Sequence, residues 1–352
     1  MQALTNVERV LKSIKLQEPD TVPTFEIDID QRVIEAIRPG LSYEDFCEHM
    51  DLDAICYHEM RTDHYDVIDK AKGIVRDQWG AIKQYSAVSL CVPVTKEPAI
   101  KSGKDLDTYV GPDPDRPSRH REIEAAVKRF KGQRAVIATV RPFGTIRDSL
   151  RGQDELFKDM IRDPDMVDRL NTIASNYYVR YVRNLIDVGV DIVLETADWA
   201  FTHGPMVSPK HTERFITPGL KQIVDYCHER GVPCLKHTDG NIWLIFDAIV
   251  ETGVDGVHPI DPLAGMDIGE AKARYGHKVC LMGNVDCGNL LSWGTKEEVR
   301  EAVRECIDKA GKGGGYICMS SNTIHGAVNP ENYVEMVRAI RDYGKYPLSL
   351  KP

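Results

Sequence analysis

What this 352-residue chain lacks is as informative as what it holds, because each absence removes a class of function. No run of eighteen uncharged apolar residues occurs, so no segment has the composition needed to span a bilayer as a helix. The first twenty residues, MQALTNVERVLKSIKLQEPD, interrupt their apolar positions with charges and lack the apolar centre of a secretory signal, so a soluble, cytoplasmic location is expected. Lysine and arginine total 45 against 54 acidic residues, a formal net charge of -9, and no basic run resembles a nucleic-acid-binding arm. Neither nucleic acid nor a membrane is therefore an expected partner. The nine cysteines, at 47, 56, 91, 227, 234, 280, 287, 306 and 318, form no Cys-x-x-Cys pair. Odd in number and widely spread, they look like reduced thiols, most of them small buried hydrophobes. No Pro/Gly/Ser-rich linker divides the chain, so one domain over 1–352 is expected.

The apolar fraction of 42% and charged fraction of 28% are those of a chain that folds throughout. From about residue 191 one unit repeats: a short β-rich run, a polar turn, then a segment of helical period. The runs fall at 191–195, 232–237, 254–258, 278–283 and 316–319. Helices are expected near 209–230, 241–252, 267–275, 296–310 and 330–343, some with entry signals such as Ser208-Pro209 or Thr295 followed by Glu297 and Glu298. Earlier runs at 22–27, 54–57 and 135–140 bring the count to eight, which fits an α/β fold of the (β/α)8 TIM-barrel type. Between 73 and 98, alternating runs flank Trp79-Gly80, and an inserted β-hairpin is expected there.

In such a barrel the chemistry sits at the carboxyl ends of the strands. The first run carries Glu26, Asp28 and Asp30 on alternate positions, which would aim three carboxylates at one face, or form a solvated rim. Tyr57-His58-Glu59 ends the second. Arg141 ends the third, where its fork can hold a substrate carboxylate or pair with Asp28 or Asp198. Glu195, Asp198 and Trp199 follow the next run, the indole offering a flat face to an aromatic ligand or to simple packing. His237-Thr238-Asp239-Gly240-Asn241 is the most informative end: His237 and Asp239 can hold a divalent metal, act as an acid/base couple, or leave Asp239 or Asn241 to cap a helix. His258, Asn284 and Asn322 stand at the remaining ends. So many polar groups around one mouth indicate a site, which a purely ligand-binding barrel would not need.

From about 192 to 343 the sequence resembles the uroporphyrinogen decarboxylase superfamily. The matching pieces are Asp198-Trp199, Gly204-Pro-Met-Val-Ser-Pro209, Pro218, the His237 to Asn241 run, Gly283-Asn-Val-Asp286, Gly313-Gly-Gly-Tyr316 and Pro330-Glu-Asn-Tyr333. The N-terminal half matches loosely, chiefly at Asn6-Val-Glu-Arg9. The resemblance implies a distorted (β/α)8 barrel and either of two activities, heme-pathway decarboxylation or zinc-dependent methyl transfer to or from a corrinoid protein. The decarboxylases carry an Arg-Gln-Ala-Gly-Arg segment for the substrate's carboxylates. Here the corresponding stretch is Phe25-Glu-Ile-Asp-Ile-Asp30, acidic where that substrate demands positive charge, so uroporphyrinogen is not the expected substrate.

Thiol-directed methyltransferases of the superfamily bind zinc through His-x-Cys-Gly and a later cysteine. This chain keeps His237 and Gly240 but has Asp239 for the first cysteine, and the second falls near Asn322, with Cys318 a little earlier. Hard oxygen donors replace soft thiolates, which suits an ether oxygen better than a thiol. The chain thus resembles the methyltransferases that demethylate phenyl methyl ethers. The resemblance implies zinc held by His237, Asp239 and Glu195, polarising the ether oxygen of a small-molecule methyl donor while a corrinoid carried by a partner protein takes the methyl group. His237, Asp239, Asp198 and Asn284 are the expected catalytic residues; Asp28, Tyr57, Arg141, Trp199, His258 and Asn322 are the expected substrate contacts. A homodimer is compatible with these expectations. The alternative is a metal-free decarboxylase of a smaller acid, with Arg141 on the carboxylate and Asp28 or His237 giving the proton.

Overall fold

The computed structural model describes residues 4–59, 65–85 and 93–348. Its centre is a curled parallel sheet built from β1 (Ala54–Tyr57), β6 (Ala135–Val140), β7 (Ile192–Glu195), β10 (Cys234–His237), β11 (Gly256–His258), β12 (Cys280–Met282) and β13 (Tyr316–Ile317), adjacent in that order. The intervening β2 (Asp66–Asp69), β3 (Ile74–Arg76), β4 (Ile82–Gln84) and β5 (Val94–Glu97) form a separate antiparallel sheet, and β8 (Ala200–Phe201) pairs with β9 (Gly204–Pro205). Strands such as Ala-Val-Ile-Ala-Thr-Val are buried at every position, as expected where both faces of a parallel sheet are covered.

Side-chain alternation sorts these strands into two cores. Ile192, Leu194, Leu235, Cys280, Met282 and Ile317 fill the inside of the curl together with Phe25 and Ile27. Val193, Cys234, Val257, Leu281 and Tyr316 face outward and pack on the surrounding helices. Those helices lie close to where period and entry signals place them. Ser208 caps Pro209–His211, which continues into Thr217–Glu229, and Thr295 with Glu298 forms a capping box that opens Lys296–Ala310. Ile268–Tyr275 and Pro330–Tyr343 follow the same pattern.

Two expectations change. The run at 22–27 is not a ladder strand: Pro23 has no N–H to give, and regular pairing fails. Its carbonyls still reach both edges of the sheet, Pro23 accepting from Cys318 N at 3.0 Å and Thr24 from Asp53 N at 2.8 Å. Asp53, wholly buried, secures the segment through Thr24 N, Arg9 and Arg341. Seven paired strands and one irregular segment therefore stand where eight strands were counted. In the 73–98 region, β3 and β4 pair across the Trp79-Gly80 turn, but within a four-stranded antiparallel sheet that begins at Asp66. Residues 86–92 of that stretch lie outside the described residues.

Candidate active site

Strands β7, β10 and β11 end side by side, with Lys236 opposite Glu195 and His237 opposite His258. Alternation then decides which side chains meet. His237 shares the inner face with Leu235, and the loops after β7 and β10 bring Asp198 and Asp239 to it. His237 Nε2 lies 3.6 Å from Asp198 Oδ1 and 3.7 Å from Asp239 Oδ1, and one ligand atom from each of the three residues lies within 4.8 Å of the others. Asp239 N donates to Asp198 Oδ1 at 3.2 Å, and Trp199 N to Thr238 Oγ1 at 2.8 Å, stitching the two loops together. Asn322 donates to Asp239 Oδ2, while Asp239 Oδ1 is buried without a hydrogen-bond partner among the described residues.

The electrostatics follow from burial. Desolvation, with Lys236, His58 and Arg141 adding like charge, lowers His237 to about 3 and keeps its imidazole neutral. Desolvation and the neighbouring Asp198 and Asp261 raise Asp239 to about 8. A neutral imidazole beside two carboxyl groups, one of whose oxygens has no hydrogen-bond partner among the described residues, is chemically fitted to a divalent cation.

Gly240 allows the loops this close approach. Its φ is +89°, and a Cβ there would lie 2.6 Å from the carbonyl oxygen of Phe201. The helix after this loop starts only at Phe246, and no side chain caps it, so neither Asp239 nor Asn241 is a helix cap.

Other expected residues stand elsewhere. Glu195 faces outward, wholly buried, and pairs with Lys236, which also donates to the carbonyls of Ala197 and His237; Asp198, and not Glu195, is the carboxylate grouped with His237 and Asp239. Trp199 is 1% exposed and packs against Lys236, whose Nζ lies 4.4 Å from the ring centre, so it offers no face to a ligand. Tyr57 also points outward and donates to Glu44 at 2.7 Å. Asn284 turns away toward the helices, donating to Ile260 O at 2.9 Å and accepting from Cys306 Sγ. For Glu195 and Tyr57 the cause is strand alternation, which sends every second residue at a strand end to the helix side; Asn284 lies two residues past the inward-facing Met282, and its outward direction follows the turn of the chain at Gly283, whose φ is +113°.

The three carboxylates at 26, 28 and 30 do not share a face. Glu26 is buried against Ser320, and Asp30 caps Gln31–Ile37 and pairs with Arg32; Asp28 accepts from Ile29 N. Arg141 pairs with Asp148 at 2.7 Å rather than with Asp28 or Asp198, although its charge reaches Asp198. His258 stands behind His237 at 2.8 Å and is wholly buried. Sequence reasoning missed Lys236, whose signal was a lysine inside the apolar run Cys-Leu-Lys-His, and Asp148, which carried no local signal.

Comparison with known proteins agrees with this architecture. The sequence model described as uroporphyrinogen decarboxylase (URO-D) matches residues 84–343. The uroporphyrinogen decarboxylase of Pseudoalteromonas atlantica is 27% identical over 257 residues, 69% of each chain, and that of Vibrio cholerae 28% over 274 residues, 72% of each. A methyltransferase from Methanosarcina mazei superposes with a TM-score of 0.71 at 14% identity, covering 97% of this chain and 99% of that one.

Proposed function

Since the chain belongs to the uroporphyrinogen decarboxylase family, we propose that it is the metal-dependent methyltransferase branch of that family, not porphyrinogen decarboxylation, that describes its activity. The substrate is a small phenyl methyl ether and the methyl acceptor a Co(I) corrinoid on a partner protein. The carrying observation is the convergence of Asp198, His237 and Asp239, with Asp239 Oδ1 buried and unpartnered among the described residues. One imidazole and two carboxylates match a zinc site that leaves a position for substrate. Bound there, zinc would act as a Lewis acid and stabilise the departing phenolate.

The chain's own residues do the rest. His237 offers a neutral nitrogen because burial keeps it unprotonated. Asn322 holds the Asp239 carboxylate through Oδ2 and leaves Oδ1 directed at the cluster. Arg147 donates to the backbone carbonyl of Asp198 at 2.8 Å and steadies the loop that carries it. The methyl group leaves as CH3+, the C–O bond pair stays on the phenolate, and the acceptor's Co(I) pair forms the new bond; the phenolate takes its proton from solvent. Decarboxylation of a small acid finds less support, because Arg141, its natural carboxylate anchor, is committed to Asp148.

The test is to mix purified protein, zinc, anisole-type ethers and cob(I)alamin under anaerobic conditions and follow the visible spectrum of methylcobalamin. Zinc-dependent methylcobalamin formation that His237→Ala abolishes is the expected result. Release of carbon dioxide from aromatic acids with no methyl transfer would overturn the reading.

A further inference from the structure

Behind the cation cluster runs a chain of hydrogen bonds that ends on the backbone. His237 Nδ1 lies 2.8 Å from His258 Nδ1, and His258 Nε2 lies 3.0 Å from the carbonyl oxygen of Ser320. The ring centres are 5.0 Å apart, exceeding the nitrogen separation by about one ring diameter, and the planes differ by 27°. The contact is therefore an edge-to-edge hydrogen bond along both rings. Ser320 is itself fixed, its N–H and hydroxyl both donating to the buried Glu26 carboxyl.

This chain has only one consistent direction. A carbonyl oxygen can only accept, so His258 Nε2 must carry a hydrogen. With no acid touching its wholly buried ring among the described residues, His258 is the neutral Nε2–H form, and its Nδ1 carries a lone pair. His237 Nδ1 must then be the donor, which leaves the lone pair of His237 on Nε2, the nitrogen that faces Asp198 and Asp239.

We infer that His258 is a positioning residue that locks His237 in its Nδ1–H tautomer and so presents Nε2 to a cation. Metal-binding histidines generally donate their second ring nitrogen to a carboxylate, a carbonyl or water; here a second imidazole relays that role from Ser320. The relay keeps the pair electrically neutral, so the cluster's two carboxylates are not offset by a buried histidinium. This inference rests on the metal reading for its purpose, but the tautomer itself is a property of the metal-free protein.

Two measurements test it. Long-range proton–nitrogen correlation spectra of the metal-free protein labelled with nitrogen-15 histidine should show His237 protonated on Nδ1 and bare on Nε2; a proton on Nε2 overturns the inference whether or not zinc binds. Zinc affinity, read by competition with a chelating dye, should fall roughly 10- to 100-fold in His258→Leu, which has no acceptor. His258→Asn places an oxygen where Nδ1 stands and should recover affinity to within a few-fold of the parent. Equal zinc affinity in the Leu variant and the parent, with circular dichroism showing both folded, also overturns it. If the parent binds no zinc while its spectra show the Nδ1–H form, the metal reading fails and the tautomer assignment stands.

Discussion

Zinc binding should be steeply pH-dependent, with a midpoint set by Asp239. In the metal-free protein its carboxyl is raised to about 8 by desolvation and by Asp198 and Asp261, so a proton occupies it at neutral pH. A cation needs the carboxylate, and binding must expel that proton. His237, lowered to about 3, has none to lose in this range. One proton leaving makes the affinity fall about tenfold per unit below 8, so it should be roughly 100-fold weaker at pH 6 than its limit. The sign for folding is opposite. A carboxyl raised in the folded state stabilises the metal-free fold fully below its unfolded value and loses that contribution as pH rises through about 8. Glu26, raised to about 8 by complete burial, acts in the same direction. The metal-free protein should therefore melt at progressively lower temperature from pH 5 to 8, and zinc should recover the Asp239 share but not that of Glu26. Calorimetric titration at pH 6, 7 and 8 in two buffers of different ionisation enthalpy measures both affinity and proton release. An affinity unchanged between pH 6 and 8, or two protons released at pH 6, would refute the reasoning.

Further expectations follow from the same geometry. His237→Ala should remove zinc binding at neutral pH, and Asp198→Asn should weaken it more than Glu195→Gln does, as the dye competition assay will read. Lys236→Met leaves Glu195 buried without its cation and should cost about 3–5 kcal/mol in urea unfolding, while the double variant Lys236→Met/Glu195→Gln recovers a large part of it. Gly240→Ala forces a Cβ against the Phe201 carbonyl and should lower zinc affinity along with stability. Tyr57→Phe, which removes only the bond to Glu44 on the helix side, should cost about 1 kcal/mol of stability and leave methyl transfer unchanged.

The runs at 54–57, 135–140 and 191 onward, with helical period between them, were enough to place the sheet strands and the helices that cover them, because periodicity and capping are local properties. They also sufficed to single out the His237 to Asn241 loop, since a histidine, a carboxylate and a glycine at one strand end are adjacent in sequence. Which strand-end residues face inward was not local. Glu195 and Tyr57 are as polar as His237 and sit at equivalent ends, yet the pleat turns them toward the helices, where Lys236 and Glu44 engage them. A shift of one residue in register would have exchanged the two sets. The partners that give the site its character come from far along the chain: Asn322 on Asp239 and Ser320 on His258. Their meeting depends on closure of the sheet through an irregular segment around Pro23, which carries no strand periodicity of its own and is held by Asp53 between Arg9 and Arg341. Local pattern determined the elements and the ring of candidate residues. Tertiary packing alone decided which of those candidates share a face, because side-chain direction at a strand end depends on register with neighbours that the sequence does not place.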